Sequence, residues 1–286
     1  MAAHHRSPAV TALLIAPAGV FFFFLLVLPL GVVLIYSFGT RAEAGGYAPA
    51  FSLENYANLP ARGKAFLNTL TLAPLGTLIT ALAAYPLAYY LAVKASPAWR
   101  TMLLVLVVVP FWTSQLLRYY AWIMILGNKG IPAWAAALGF ADLRLLNTPF
   151  AVLLGAVYGF LPLMVLPIYV SLEKLDHRLL EASADLGAKP FASFRQITLP
   201  LSLPGVATGS MLVFILLMGE YILPQFLGGG KVFFIGNALV DLFLQSRNWP
   251  FGAAVSMALV AIMFVTIVIY MRFVLGKGGG ERAALV

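Results

Sequence analysis

Two ionisable residues, Arg118 and Glu220, stand inside stretches that are otherwise apolar. A charge held away from water needs a partner or a wet cavity, and two chemistries fit this pair. Arg118 and Glu220 can close a structural salt bridge, or Glu220 can offer its carboxylate to a cationic solute. The same stretches carry Trp112, Tyr119, Tyr120, Trp122, Tyr158 and Tyr221. Ring faces can attract an ammonium group, although such residues more often form an interfacial belt. Tyr158 and Tyr221 are the best-placed exceptions, with Trp112 a further candidate. Asp241, in GNALVDLFLQ, reads as a solvated loop acid or as an acid on a short helix dipping toward the apolar layer.

Covalent and hydrolytic chemistry finds no residues to work with. The chain has no cysteine, which removes disulfides, thiolate nucleophiles and Cys-based metal sites. His4, His5 and His177 all lie outside the apolar stretches, and no GxSxG is present. A phosphate loop needs GxxxxGK[ST]. The Gly-Lys pairs at Gly230-Lys231 and Gly276-Lys277 lack both the upstream glycine and the following hydroxyl residue. The chain is therefore read as a non-enzyme without a cofactor, and energy from ATP would have to arrive through another chain.

The elements that must position these residues follow from composition. Of 286 residues, 62% are hydrophobic and 10% are charged, and the mean hydropathy is +0.95. A soluble surface usually carries about a quarter charged residues, so most side chains here must face something other than water. A spanning helix needs about 20 mostly apolar residues. Six segments qualify: 10–36, 68–93, 102–126, 150–172, 203–223 and 253–275. The first is too long for the apolar core of a cleavable signal peptide, and it reads as an uncleaved helix. Pro17, Pro29, Pro74, Pro86, Pro110, Pro162 and Pro167 fall inside them, which membrane helices tolerate because neighbours re-satisfy the freed carbonyls. The runs are continuous rather than alternating, which disfavours a β-barrel. The expectation is an all-α integral membrane protein of six transmembrane helices, one domain over residues 1–286.

The formal net charge is +8, but the cations are scattered in short segments and form no basic face for nucleic acid. They report topology instead. With the N-terminus inside, ten Lys and Arg fall in inner segments and seven in longer outer loops. Both termini are accordingly read as cytoplasmic.

The longest inner segment, residues 173–202, reads EKLDHRLLEASADLGAKPFASFRQITLPLS. Asp176 is a plausible N-cap, and Leu179, Ala182, Ser183 and Leu186 recur on one helical face. Gly187 then suits a left-handed helix end, with Pro190 shortly beyond. The pattern predicts a short amphipathic helix, a sharp turn, and a second helix begun by residues 190–198. By pattern alone, this is either a loop lying on the membrane surface or a rigid knob for a partner's groove.

The residues themselves say more. Glu181-Ala182, Gly187, Ile197 and Leu199-Pro200 resemble the EAA motif of ABC importer permeases, in the form E-A-x(4)-G-x(9)-I-x-L-P. The likeness extends across most of the chain and sharpens toward the spermidine/putrescine permeases in 110–126, 161–176, 219–230 and 248–256, and in FSLENY at 51–56. Gln225 departs from it, standing where the resemblance implies an acid.

The resemblance implies a type I ABC importer transmembrane domain in the bacterial inner membrane, working by alternating access. Its expected partners are a dimer of ATPase subunits, a second permease, a periplasmic substrate-binding protein and the lipid bilayer. It also implies that Glu181, Ala182, Ser183, Leu186, Gly187 and Ala188 couple the chain to the ATPase. A self-contained carrier is the competing class. It would place coupling charges near the midplane of repeated halves, and no such repeat is visible. A membrane-bound assembly partner with no solute path is the third.

Overall fold

A computed structural model describes residues 8–140 and 143–282. His4, His5 and Arg6 lie outside the described residues. In chain order the helices are α1 Leu14–Ser37, α2 Leu59–Lys94, α3 Pro97–Trp112, α4 Gln115–Leu126, α5 Pro149–Glu173, α6 His177–Asp185, α7 Pro190–Met218, α8 Ile222–Leu227, α9 Ile235–Gln245 and α10 Trp249–Arg282, with two further short helices at Glu54–Ala57 and Ile131–Ala137. Five are long and apolar enough to cross a membrane by themselves, and the bent pair that α3 and α4 form passes the same test only when taken together.

Two expected helices differ in the structure. The third segment is not one rod: it breaks at Thr113, in extended backbone, and Ser114, and the two parts meet at 90°. Hydroxyl side chains satisfy local backbone groups and so compete with helix. Here Thr113 Oγ1 donates to the Pro110 carbonyl at 2.7 Å. The fifth span begins at Pro190 rather than near residue 203, so the expected second short helix is its first turns. It also ends at Met218, with Gly219 as the C-cap. Pro200 is accommodated because the carbonyl it deprives, that of Gln196, falls inside a π-helical turn at Phe194–Thr198. Pro29 stands in the same relation to the π turn Phe23–Val27 in the first span.

The chain forms two compact units. The larger comprises residues 62–238 and 262–286. Its core is the packing of α2, α5 and α7, where Ala73, Ala84, Ala156, Met164, Ile168, Val213 and Leu217 are buried. Without a hydrophobic driving force in lipid, helices associate through small residues that allow close approach. Gly205 and Gly209 supply this on α7. A Cβ on Gly205 would lie 2.4 Å from the Pro167 carbonyl oxygen, and one on Gly209 would lie 2.8 Å from Met164 Sδ.

The smaller unit comprises residues 1–61 and 239–261. A two-stranded antiparallel hairpin pairs Thr40 with Ala48 and Arg41 with Tyr47, the one departure from an all-helical chain among the described residues. Tyr36 stacks on Tyr47 at 4.2 Å, and Asn55 Nδ2 donates to the Ser37 and Gly39 carbonyls.

Candidate functional site

The inner segment builds a compact knob from local rules. Asp176 caps α6, its Oδ1 accepting from the Arg178 N–H at 3.0 Å. At the other end the N–H groups of Gly187 and Ala188 donate to the carbonyls of Ala184 and Ser183. That is the paired closure of a Schellman motif, and Gly187 adopts the left-handed φ of +77° that it requires. The chain reverses there, and the Ser183 and Ser193 hydroxyls meet at 2.6 Å. Ser183 is thereby buried against the start of α7, which removes it from the expected docking face. Glu181, Ala182 and Gly187 are exposed, Ala188 is half-buried, and Leu186 is 87% exposed. Phe191, which the sequence reading did not single out, joins them at 74% exposed.

The root of the knob is held by charge. Glu173, at the end of α5, accepts from the Tyr169 hydroxyl at 2.6 Å and faces Arg100 Nη1 at 3.7 Å. Arg100 Nη2 donates to the Ala92 carbonyl at 3.2 Å, so the corner between α2 and α3 is tied to the helix that feeds the knob. A groove of 810 Å3 runs from Leu166 and Thr208 to Lys174, Asp176 and Leu179 at this root.

Arg118 and Glu220 line one cavity of 340 Å3, with Phe111, Thr113, Gln115 and Leu216 among its walls. Both stand at helix breaks, Arg118 just past the bend between α3 and α4 and Glu220 just past the end of α7. The breaks turn both residues into the cavity. Nor do the two close an ion pair. Glu220 Oε1 accepts from the backbone N–H groups of Tyr221, Ile222 and Leu223 at 2.9 to 3.2 Å. The carboxylate thus satisfies the first turn of α8, where backbone donors have no partner within the helix. Arg118 Nε is buried with no hydrogen-bond partner, and its guanidinium lies 6.0 Å from the Tyr158 ring centroid. Tyr158 packs edge-on against Trp122.

The other candidates separate. Trp112 is 79% exposed at the end of α3 and does not line this cavity. Tyr221 is partly exposed, and its carbonyl accepts from Asn237 Nδ2 at 2.8 Å. Asp241 belongs to the smaller unit, where it opens a π turn over Asp241–Gln245. Gln225 Oε1 accepts from Asn237 Nδ2 at 3.2 Å, a role that a carboxylate oxygen would fill equally. Sequence reasoning missed Thr113, Gln115 and Asn237; the adjacent Thr113-Ser114 pair was the available signal for the first two.

Multiple apolar spans, a capped knob set between two of them and a polar cavity at helix breaks define the membrane component of a solute transporter. The chain belongs to the family of binding-protein-dependent transport system inner membrane components, whose model matches residues 84–276. It is 43% identical over 254 residues to the spermidine/putrescine transport system permease protein PotB of Haemophilus influenzae, covering 87% of this chain and 88% of that protein. To PotB of Escherichia coli it is 40% identical over 250 residues, covering 86% and 90%. The fold matches a chain of a bacterial alginate ABC transporter, solved in complex with an alginate pentasaccharide-bound periplasmic protein. The TM-score is 0.71 at 15% identity, covering 92% of this chain and 94% of that one. The chain is an ABC importer permease of the inner membrane.

Proposed function

We propose that this permease passes a polyamine, such as putrescine or spermidine, into the cytoplasm by alternating access. The observation that carries the substrate class is the likeness to PotB along nearly the whole chain. Glu220 uses Oε1 to hold α8, and its carboxylate shares the cavity with the Arg118 guanidinium, so the substrate class rests on the likeness. In this reading the chain acts as one permease domain with both termini in the cytoplasm. The knob at residues 173–202 docks through Glu181, Leu186 and the Gly187 turn into a separate ATPase subunit, two of which serve the complex. A second permease completes the complex, and an external binding protein delivers the solute.

The test is reconstitution with the ATPase, the second permease and the binding protein in liposomes, followed by uptake of labelled putrescine and spermidine. ATP-dependent uptake is the expected result. ATP-dependent transport of neutral or anionic solutes alone would overturn the polyamine reading and leave the permease class standing.

A further inference from the structure

The chain joins the knob directly to α5 and α7, two of the three helices that make the core. The third, α2, must be reached from it through non-covalent contacts. On the α5 side that path is the Arg100–Glu173 pair, part-exposed at 3.7 Å and therefore screened by water. On the α7 side the contact is aromatic. The Phe194 ring meets Tyr85 edge-on at 5.7 Å and Tyr89 edge-on at 6.1 Å, within the separation at which such pairs attract. Tyr85 and Tyr89 stand four residues apart on α2 and so share one face.

Phe194 reaches this place through a change of register. Each residue of an α-helix turns by about 100°, so residues eight apart diverge by about 80°. Phe194 and Ser202 are eight apart on α7, yet both face α2, since the buried Ser202 hydroxyl meets that of Tyr85 at 2.8 Å. The π turn Phe194–Thr198, closed by the Leu199 N–H donating to the Phe194 carbonyl, takes up one extra residue. The two then stand as if seven apart, within about 20° of one face. The preceding residue, Ser193, meets Ser183 of the knob at 2.6 Å. Adjacent residues thus hold α6 and α2.

The rest of the α2 face offers little to grip. From residue 65 to residue 88 its buried positions are all Ala, Gly or Thr, with Ala73, Gly76, Thr80 and Ala84 among them. Small side chains allow close approach but interlock little, and they leave packed helices free to shear. Phe194 is where a large side chain next to the knob engages α2. Resting on the coupling role proposed for the knob, we propose that Phe194 is a positioning residue for transport. Its ring makes α2 follow the knob, and the π turn sets that ring in register.

The experiment reconstitutes the whole transporter in liposomes and measures uptake of labelled putrescine and spermidine and solute-stimulated ATP hydrolysis on the same preparation. Phe194→Leu keeps an apolar side chain but loses the ring. The expected result is uptake per ATP hydrolysed about tenfold lower, the scale on which residues of a coupling network act, with hydrolysis itself near wild type. Phe194→Tyr keeps the ring and should hold the wild-type ratio. A ring that only stabilises the fold would lower the melting temperature and reduce uptake and hydrolysis in proportion. An unchanged ratio in Phe194→Leu therefore overturns the proposal. Should that variant fail to assemble, Tyr89→Leu removes the other side of the contact and is expected to lower the ratio in the same way; an unchanged ratio there overturns the proposal equally. Gly187→Val, measured alongside, keeps the two readings apart. If it lowers uptake and hydrolysis while Phe194→Leu behaves as wild type, only the contact with α2 loses its role. If Gly187→Val also behaves as wild type, the coupling role of the knob falls with it.

Discussion

The hydroxyls of Ser183 and Ser193 lie 2.6 Å apart and join the knob helix α6 to the first turn of the span α7 behind it. In the coupling role proposed for the knob, a push on it would reach a membrane helix through one short reversal at Gly187. Replacing both hydroxyls by alanine removes a matched pair, which is close to neutral, so Ser183→Ala with Ser193→Ala should keep most coupled activity. Ser183→Leu must wedge the helices apart at an overpacking cost of about 1–3 kcal/mol. Gly187→Val forces a β-branched residue to φ of +77°, strained by roughly 1–2 kcal/mol. Both should lower solute-stimulated ATP hydrolysis and uptake together in the reconstituted complex while the chain still inserts. Full coupling in Gly187→Val would refute the role given to the turn.

Close approach of α5 and α7 makes a second prediction. A Cβ at Gly205 would overlap the Pro167 carbonyl and the Ser171 side chain, whereas nothing lies within 4 Å of one at Gly159. Gly205→Val should lower the melting temperature of the detergent-solubilised chain by several degrees, since overpacking costs about 1–3 kcal/mol. Gly159→Ala should raise it slightly, because glycine in a helix is roughly 1 kcal/mol less favourable than alanine. Thermal gel filtration of the two variants reads both effects.

Orientation is tested by labelling. The chain has no cysteine to interfere, and Glu43, Asn128 and Lys189 are all exposed. In intact cells an impermeant maleimide should label Glu43→Cys and Asn128→Cys but not Lys189→Cys. The opposite pattern would invert the topology and move the knob outside.

The last prediction concerns Glu220 and Arg118. Glu220→Gln keeps an acceptor for the three N–H groups at the start of α8 but removes the charge. A charge-assisted contact contributes about 1.5–3 kcal/mol against about 0.5–1.5 for a neutral one. Polyamine uptake should fall about tenfold, with assembly and basal ATP hydrolysis retained. Glu220→Ala also loses the acceptor, which costs about 1 kcal/mol more in stability. Because the pair makes no ion bridge, adding Arg118→Gln to Glu220→Gln should not recover stability. Thermal rescue in that double variant would show that the two charges do pair in the membrane.

The knob shows how far local rules reach. Asp176 as N-cap, a helix ending at a left-handed Gly187 and a restart at Pro190 were all legible, because each depends on backbone dihedrals and hydrogen bonds within a few residues. The docking face was less so. Ser183 follows the same periodicity as Leu179 and Leu186, and only its meeting with Ser193 turns it inward.

By itself the sequence determined that this chain lies in a bilayer, which stretches are apolar enough to cross it, and which loop carries the knob, since length, apolarity and capping are local properties. Tertiary structure decided the rest. It bent the third span at Thr113, brought Arg118 and Glu220 to one cavity without pairing them, and set Phe194 of α7 against Tyr85 and Tyr89 of α2. Those relationships join residues far apart in the chain. Close packing between spans sets them, and no period of 3.6 residues encodes it.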